Sequence, residues 1–140
     1  MLRLLVSALL LSCLSGCCTS AGCEDRVTWA LPTSFMGLAT TDTVRVRACF
    51  DTTCFDGPLV AESDGRIWSS ADGKVLLVLP SQLSLALGSL ERTRAGQATL
   101  ELTRNGRAII TDTRAVTLSD TGQPNGPLCP PTCFSTRVQL

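Results

Sequence analysis

Along much of the chain, apolar and polar residues alternate with the period of two expected of half-buried strands. Over Arg26–Leu31, Val27, Trp29 and Leu31 share one face until Pro32 ends the run. Over Thr43–Phe50, Val44, Val46, Ala48 and Phe50 point one way, and Arg45 and Arg47 the other. Leu59–Glu62 and Arg66–Ser69 read as short strands beside turns at Asp56-Gly57-Pro58 and Asp64-Gly65. After Asp72-Gly73 comes Lys74–Leu79, a continuous apolar run of strand length. Ser81–Leu90 stays open between a strand, a short helix and an irregular crossover, so the pattern does not decide residues 81–95. Ala98, Leu100 and Leu102 resume the alternation. Asn105-Gly106 then accepts the positive φ angles of a two-residue type I′ hairpin turn. That turn predicts Leu102 opposite Ile109 and Leu100 opposite Thr111. Ala115–Leu118 extends or follows the second strand. Asp120–Pro131 reads as a long loop, and Phe134–Leu140 as a last strand with Phe134, Val138 and Leu140 inward.

Seven or eight short strands and no long helix predict an all-β domain. The expected form is an antiparallel β-sandwich, Ig-like or fibronectin-III-like, with a small β-barrel as the alternative. No internal repeat of 20–50 residues is visible. The length of 140 residues fits one domain. Only 4% of residues are aromatic, so the core must rest on Leu and Val, and disulfides matter more to such a domain. Trp29 reads as core. Trp68, in a turn-rich stretch beside Arg66, reads as a candidate contact residue.

The first residues read as an address. Met1-Leu2-Arg3 carries one positive charge, Leu4–Leu11 is apolar but for Ser7, and Ser12–Cys17 is rich in small residues. This is the layout of a secretory signal, too short in its apolar run to span a bilayer. Leu14-Ser15-Gly16-Cys17 resembles the lipobox of bacterial lipoproteins. The resemblance implies cleavage before Cys17, lipidation of the Cys17 thiol and attachment to a membrane by acyl chains rather than a spanning helix. The expected organisation is a signal peptide over 1–16, a lipidated N-terminus and tether over 17–25, and the β-domain over 26–140. Cys18 follows the anchor where an Asp would favour inner-membrane retention, so an outer membrane is slightly favoured where the cell has one.

Removing sixteen residues leaves 124, with a net formal charge of −1. Cys17 is consumed by the lipid, and Cys18, Cys23, Cys49, Cys54, Cys129 and Cys133 remain. An even set in an exported chain reads as a disulfide framework, for which six cysteines allow 15 pairings. Cys49 and Cys54 are placed to close across a turn. The two prolines inside Cys129–Cys133 push those cysteines toward other partners, Cys23 among them. A zinc site built from four thiolates is the rival, and the oxidising setting argues against it.

The chemistry on offer is sparse. The sequence has no histidine, which excludes His-based triads and proton shuttles. Twelve basic residues balance twelve acidic ones, leaving no basic footprint for nucleic acid. Asp120-Thr121-Gly122 matches the aspartic-protease tripeptide, but that chemistry needs two carboxylates and the motif occurs once. Glu62, Glu91 and Glu101 lie in polar segments with nothing linking them. Asp64 and Asp72 read as turn residues. No catalytic, cofactor or metal-binding residue is therefore expected. Arginine outnumbers lysine eleven to one. The segments Val44–Cys54 and Pro124–Cys133 look like those of small cysteine-containing lipoproteins of high-GC bacteria, a likeness that supports fold and location and transfers no catalytic residue. The expected protein is a non-enzymatic binding or structural module on the extracytoplasmic face of a bacterial membrane. Its partners are the membrane, through Cys17, and an envelope protein left unnamed. The alternative is an inhibitor of an exported hydrolase, such as a protease or lysozyme, acting through the segment Gly122–Thr132.

Overall fold

A computed structural model describes residues 24–35, 37–88, 95–122 and 133–140. These form ten strands: β1 (Asp25–Ala30), β2 (Val44–Phe50), β3 (Thr53–Ala61), β4 (Ile67–Ser69), β5 (Val75–Val78), β6 (Gln82–Gly88), β7 (Ala95–Arg104), β8 (Arg107–Thr117), β9 (Ser119–Gly122) and β10 (Cys133–Gln139). One curled sheet carries them in the order β8-β7-β2-β3-β4-β5-β6-β1-β10-β9. The pairing is antiparallel except between β1 and β10, which run parallel. The all-β expectation holds, and the nearly closed sheet fits a sandwich or a small barrel equally.

Alternation sorts the side chains into rows. Register places Ala61, Trp68, Leu77, Leu83, Trp29 and Val138 abreast across β3, β4, β5, β6, β1 and β10. Five of the six are buried, and Ala61 packs against them. From the other side, Val44, Val46, Ala48 and Phe50 of β2 meet the same core with Ala98, Leu100 and Leu102 of β7. The two halves of the sheet thus enclose one hydrophobic cluster. Burying such apolar area, at about 25 cal/mol per Å2, is what drives the sheet to curl. The curl brings β8 near β10, where Arg114 Nη1 donates to the Gln139 carbonyl at 2.8 Å. Arg114 also bonds Asp112, and both stand on the core side of β8 opposite Ala98 and Leu100. Inward charges at a strand edge discourage further pairing, and here they line the seam.

Several expectations are corrected. Asp56-Gly57-Pro58 lies inside β3, because the turn falls earlier, at Asp51-Thr52, and β3 pairs with β2 from Thr53 onward. Pro58 is tolerated there because β4 pairs with β3 only at Val60 and Ala61, leaving that edge open. The β7–β8 hairpin turns at Asn105 (φ 50°) and Gly106 (φ 80°) as predicted. Its register then shifts after Thr103, so Leu102 faces Ile110 and Leu100 faces Asp112. The bulge leaves Ile109 as the extra residue, 41% exposed. Asp120 and Gly122 stand in β9, opposite Phe134 and Cys133, where a loop was expected. Trp68 is core, 1% exposed, and its indole N–H donates to the Gly65 carbonyl at 3.0 Å. The open stretch after Ser81 contains strand β6, with Leu83, Leu85 and Leu87 inward.

Candidate functional site

The ends of the sheet differ. At one end β1 begins, and Asp25 lies beside Gly88 of β6. At the other, β1 leaves through Leu31, whose N–H donates to the Ser81 carbonyl at 2.9 Å. The thirteen residues between β1 and β2 cross this second end. Their course is pinned by short polar bonds. Phe35 N–H donates to Pro32 O at 2.9 Å, and Asp42 N–H to Ala39 O at 2.8 Å.

Asp42 is the main fixing point. Its carboxylate accepts Ala39 N–H at 2.8 Å, Asn105 Nδ2 at 2.9 Å and Arg104 Nε at 2.9 Å. The Ala39 amide, then the Asn105 amide, and then Arg104 hold the Asp42 carboxyl below its ordinary value against a smaller opposing effect of burial. Asn105 in turn exchanges bonds with Thr43, its N–H donating to Thr43 O and its Oδ1 accepting Thr43 N–H, each at 2.8 Å. The connector is therefore locked to the β7–β8 turn.

Between this connector and the β3–β4 and β5–β6 turns lies an open groove of about 960 Å3. Phe35, Leu38, Leu79 and Pro80 supply its apolar surface, and Asp64, Arg66 and Arg104 its polar rim. The Leu79–Pro80 peptide bond is cis. Leu79 N–H donates to Arg66 O at 2.8 Å, and Arg66 N–H to Asp64 Oδ1 at 2.9 Å, so the rim is built on fixed turns. Arg104 is engaged by Asp42, whereas the Arg66 guanidinium has no ion pair among the described residues. An apolar floor with a few fixed polar groups is the usual form of a binding site. Its described lining holds no Ser, Thr or Cys side chain beside a base.

The residues singled out from sequence do not gather in this groove. Cys49 and Cys54 form a disulfide across the β2–β3 turn, their Cα atoms 4.1 Å apart, at a directly opposed cross-strand pair. Cys133 is also disulfide-bonded. Cys17, Cys18, Cys23 and Cys129 lie outside the described residues, as do Glu91 and the segment following Gly122. Asp64 and Asp72 cap turns: Asp72 Oδ1 accepts Ser70 Oγ–H at 2.7 Å and Lys74 N–H at 3.1 Å. Glu62 lies exposed in the β3–β4 connection, and Glu101 stands in β7. No group of three or more metal-ligating side chains occurs among the described residues. The groove residues were missed because Phe35 and Leu38 follow no period. Large apolar residues inside a thirteen-residue connector, Phe35 and Leu38 among them, were the available signal. No family model, curated protein or solved structure matches the chain.

Proposed function

We propose that this chain is a lipid-anchored, extracytoplasmic β-domain of a bacterial envelope that acts by binding, without catalysing a reaction. The lipobox-like Leu14-Ser15-Gly16-Cys17 supports the anchor. The cross-strand disulfide suits an oxidising compartment. The observation that carries the binding role is the groove. It is framed by bonded turns, so little ordering cost attends its occupation. It also lies a strand length from the start of β1, about 20 Å for six residues. The groove and the start of β1, which follows the tether, thus stand at opposite ends of that strand. The partner class is another envelope protein.

Intact mass of the natively expressed, membrane-extracted protein tests the anchor. Loss of residues 1–16 with a large lipid increment is expected, together with a gain of two hydrogens per disulfide on reduction. An unlipidated, full-length mass would overturn the anchor. For the groove, cross-linking in intact cells is compared between the native chain and Arg66→Glu with Leu38→Ser. One envelope adduct, lost in the variant, is expected. An identical pattern in both would remove the groove from the account.

A further inference from the structure

We propose that the outer face of β4-β5-β6-β1-β10 docks on anionic lipid headgroups, so that the domain lies against the bilayer that its anchor enters. This builds on the lipid-anchor reading and adds an orientation to it.

Three observations meet on this face. The first is apolar exposure. Leu76 of β5 is 40% exposed, and Val60, at the end of β3 that adjoins β4, is 65% exposed; register sets them in one outer row with Ser69 between them. The second is charge. Arg26, Lys74 and Arg137 flank that row, and all three are exposed. No outward strand position from β4 through β10 on this face carries a carboxylate. Acids stand at its margin: Asp72 sits in the β4–β5 turn, 3.8 Å from Lys74, and Glu24, just before β1, shares a hollow with Lys74. The third is shape. A depression of about 170 Å3 opens between Arg26 and Lys74, with Ser69 and Ser84 in its lining and Leu76 beside them. Two cationic side chains and hydroxyl groups around a shallow hollow suit a phosphate headgroup, while Val60 and Leu76 suit the acyl boundary beneath it.

The opposite outer face provides the contrast. There Arg45 pairs with Asp56 at 3.6 Å, and register puts Arg47 between Asp56 and Glu101. The strand cations of that face meet carboxylates on neighbouring strands, whereas Arg26 and Arg137 have no ion pair among the described residues and Lys74 meets only the turn residue Asp72 by an ion pair.

Continuity with the anchor makes weak attraction sufficient. Arg26 follows Cys17 by nine residues, a span of at most about 30 Å when fully extended. A tether of that length holds the face at high effective concentration near the surface. Each basic residue near an anionic surface then strengthens contact by about fivefold, and salt screens it.

Lys74 is the only lysine in the chain, which gives the test a single reporter. The full, natively processed chain is mixed with excess vesicles of phosphatidylcholine alone or with phosphatidylglycerol at one-third. The acylation rate of Lys74 by a water-soluble amine reagent is then read by peptide mass. Anionic vesicles are expected to slow Lys74 labelling at least threefold relative to neutral ones. High salt should reverse the effect, and so should Arg26→Gln with Arg137→Gln. Hydroxyl-radical labelling should fall at Leu76 and stay constant at Ile109. Equal labelling in both vesicle types would overturn the proposal, as would equal protection of Leu76 and Ile109. The anchor is judged separately by intact mass. A lipidated chain with equal labelling loses the docking face alone, and an unlipidated chain with protected Lys74 loses the anchor alone.

Discussion

The half-sheet β8-β7-β2-β3 and the half-sheet β4-β5-β6-β1-β10 are written in the same alternation, yet they solve different problems. The first buries Val44, Val46, Ala48, Phe50, Leu100 and Leu102, and covers its outer side with opposed charges. The second buries both tryptophans and leaves Leu76 exposed among cations, with Val60 at the adjoining end of β3 exposed beside it. The first carries its own staple, Cys49–Cys54. Period two decides which residues face the core. The outward partner of each residue across the neighbouring strand decides whether the outer side is finished, as Arg47 is by Asp56 and Glu101, or left available.

The shared core sets the largest expected effect. Leu100 and Leu83 are each fully buried, one in each half. Either Leu→Ala change should destabilise by about 2–5 kcal/mol in urea unfolding, because it removes buried methyl groups and leaves a cavity. Near-equal losses, with a single transition, are expected if the halves form one cooperative core. Two separated transitions would show that they unfold independently. Next comes the staple. Replacing Cys49 and Cys54 together by Ser frees a six-residue loop and should cost about 2 kcal/mol on the chain-entropy account. The double replacement spares the bond of Cys133, so the loss belongs to the first half alone. A change below about 0.5 kcal/mol would mean that the Asp51-Thr52 turn and its strand pairing hold the register unaided. That turn has support of its own: Gln97 N–H donates to Asp51 Oδ1 at 2.7 Å, and the Asp51 carboxylate occupies the space a Cβ at Gly96 would need, 2.5 Å away.

Within the second half, the two tryptophans sharpen the contrast further. Trp68 Nε1 donates to Gly65 O, whereas Trp29 Nε1 is buried with no hydrogen-bond partner among the described residues. Both changes to Phe remove a similar volume. Trp68→Phe also leaves a buried carbonyl unanswered, while Trp29→Phe removes an unanswered donor. Trp68→Phe should therefore cost about 1 kcal/mol more than Trp29→Phe in the same denaturant series. Equal costs would indicate that water already satisfies one of the two groups.

Much of the first half was legible because its strands alternate cleanly and its hairpin turns on Asn105-Gly106. The register slip after Thr103 was not, since a bulge depends on how β7 bends against β2 and leaves no mark on the alternation. Asp56-Gly57-Pro58 misled because a glycine and a proline read as a turn locally. Their tolerance comes from an open edge beside β3, which is a property of the assembled sheet. Trp68 misled in the same way: its three-residue strand is too short to show a period, and its burial comes from Leu77 on β5. The candidate groove was the least legible part. Its walls come from four separate segments, and only the bonds of Asp42 and Asn105 bring the connector and the hairpin together.

The smallest effects concern two aspartates that serve the two halves as turn anchors. Asp42 fixes the connector to the β7–β8 hairpin, and Asp72 caps the β4–β5 turn. Both are held below the ordinary carboxylate range. Asp42 owes this first to the Ala39 amide, then to Asn105 and Arg104; Asp72 owes it first to the Ser70 hydroxyl, then to the Lys74 amide and charge. A carboxyl with a lowered folded-state pKa adds stability above its unfolded value, near 3.9, and loses it as pH falls through the folded value. Stability should therefore drop as pH is lowered below about 4. Asp42→Asn should flatten that drop, the variant being less stable than the native chain at pH 6 and converging with it in acid. Asp72→Asn should flatten it less, because the Asp42 side chain is 8% exposed and that of Asp72 is 44% exposed, so water screens Asp72 more. Urea midpoints taken from pH 6 to pH 2.5 measure both slopes. If the Asp72 variant changes the slope as much as the Asp42 variant, the connector's lock contributes no more than an ordinary turn, and the groove it frames is not the better-fixed end of the molecule.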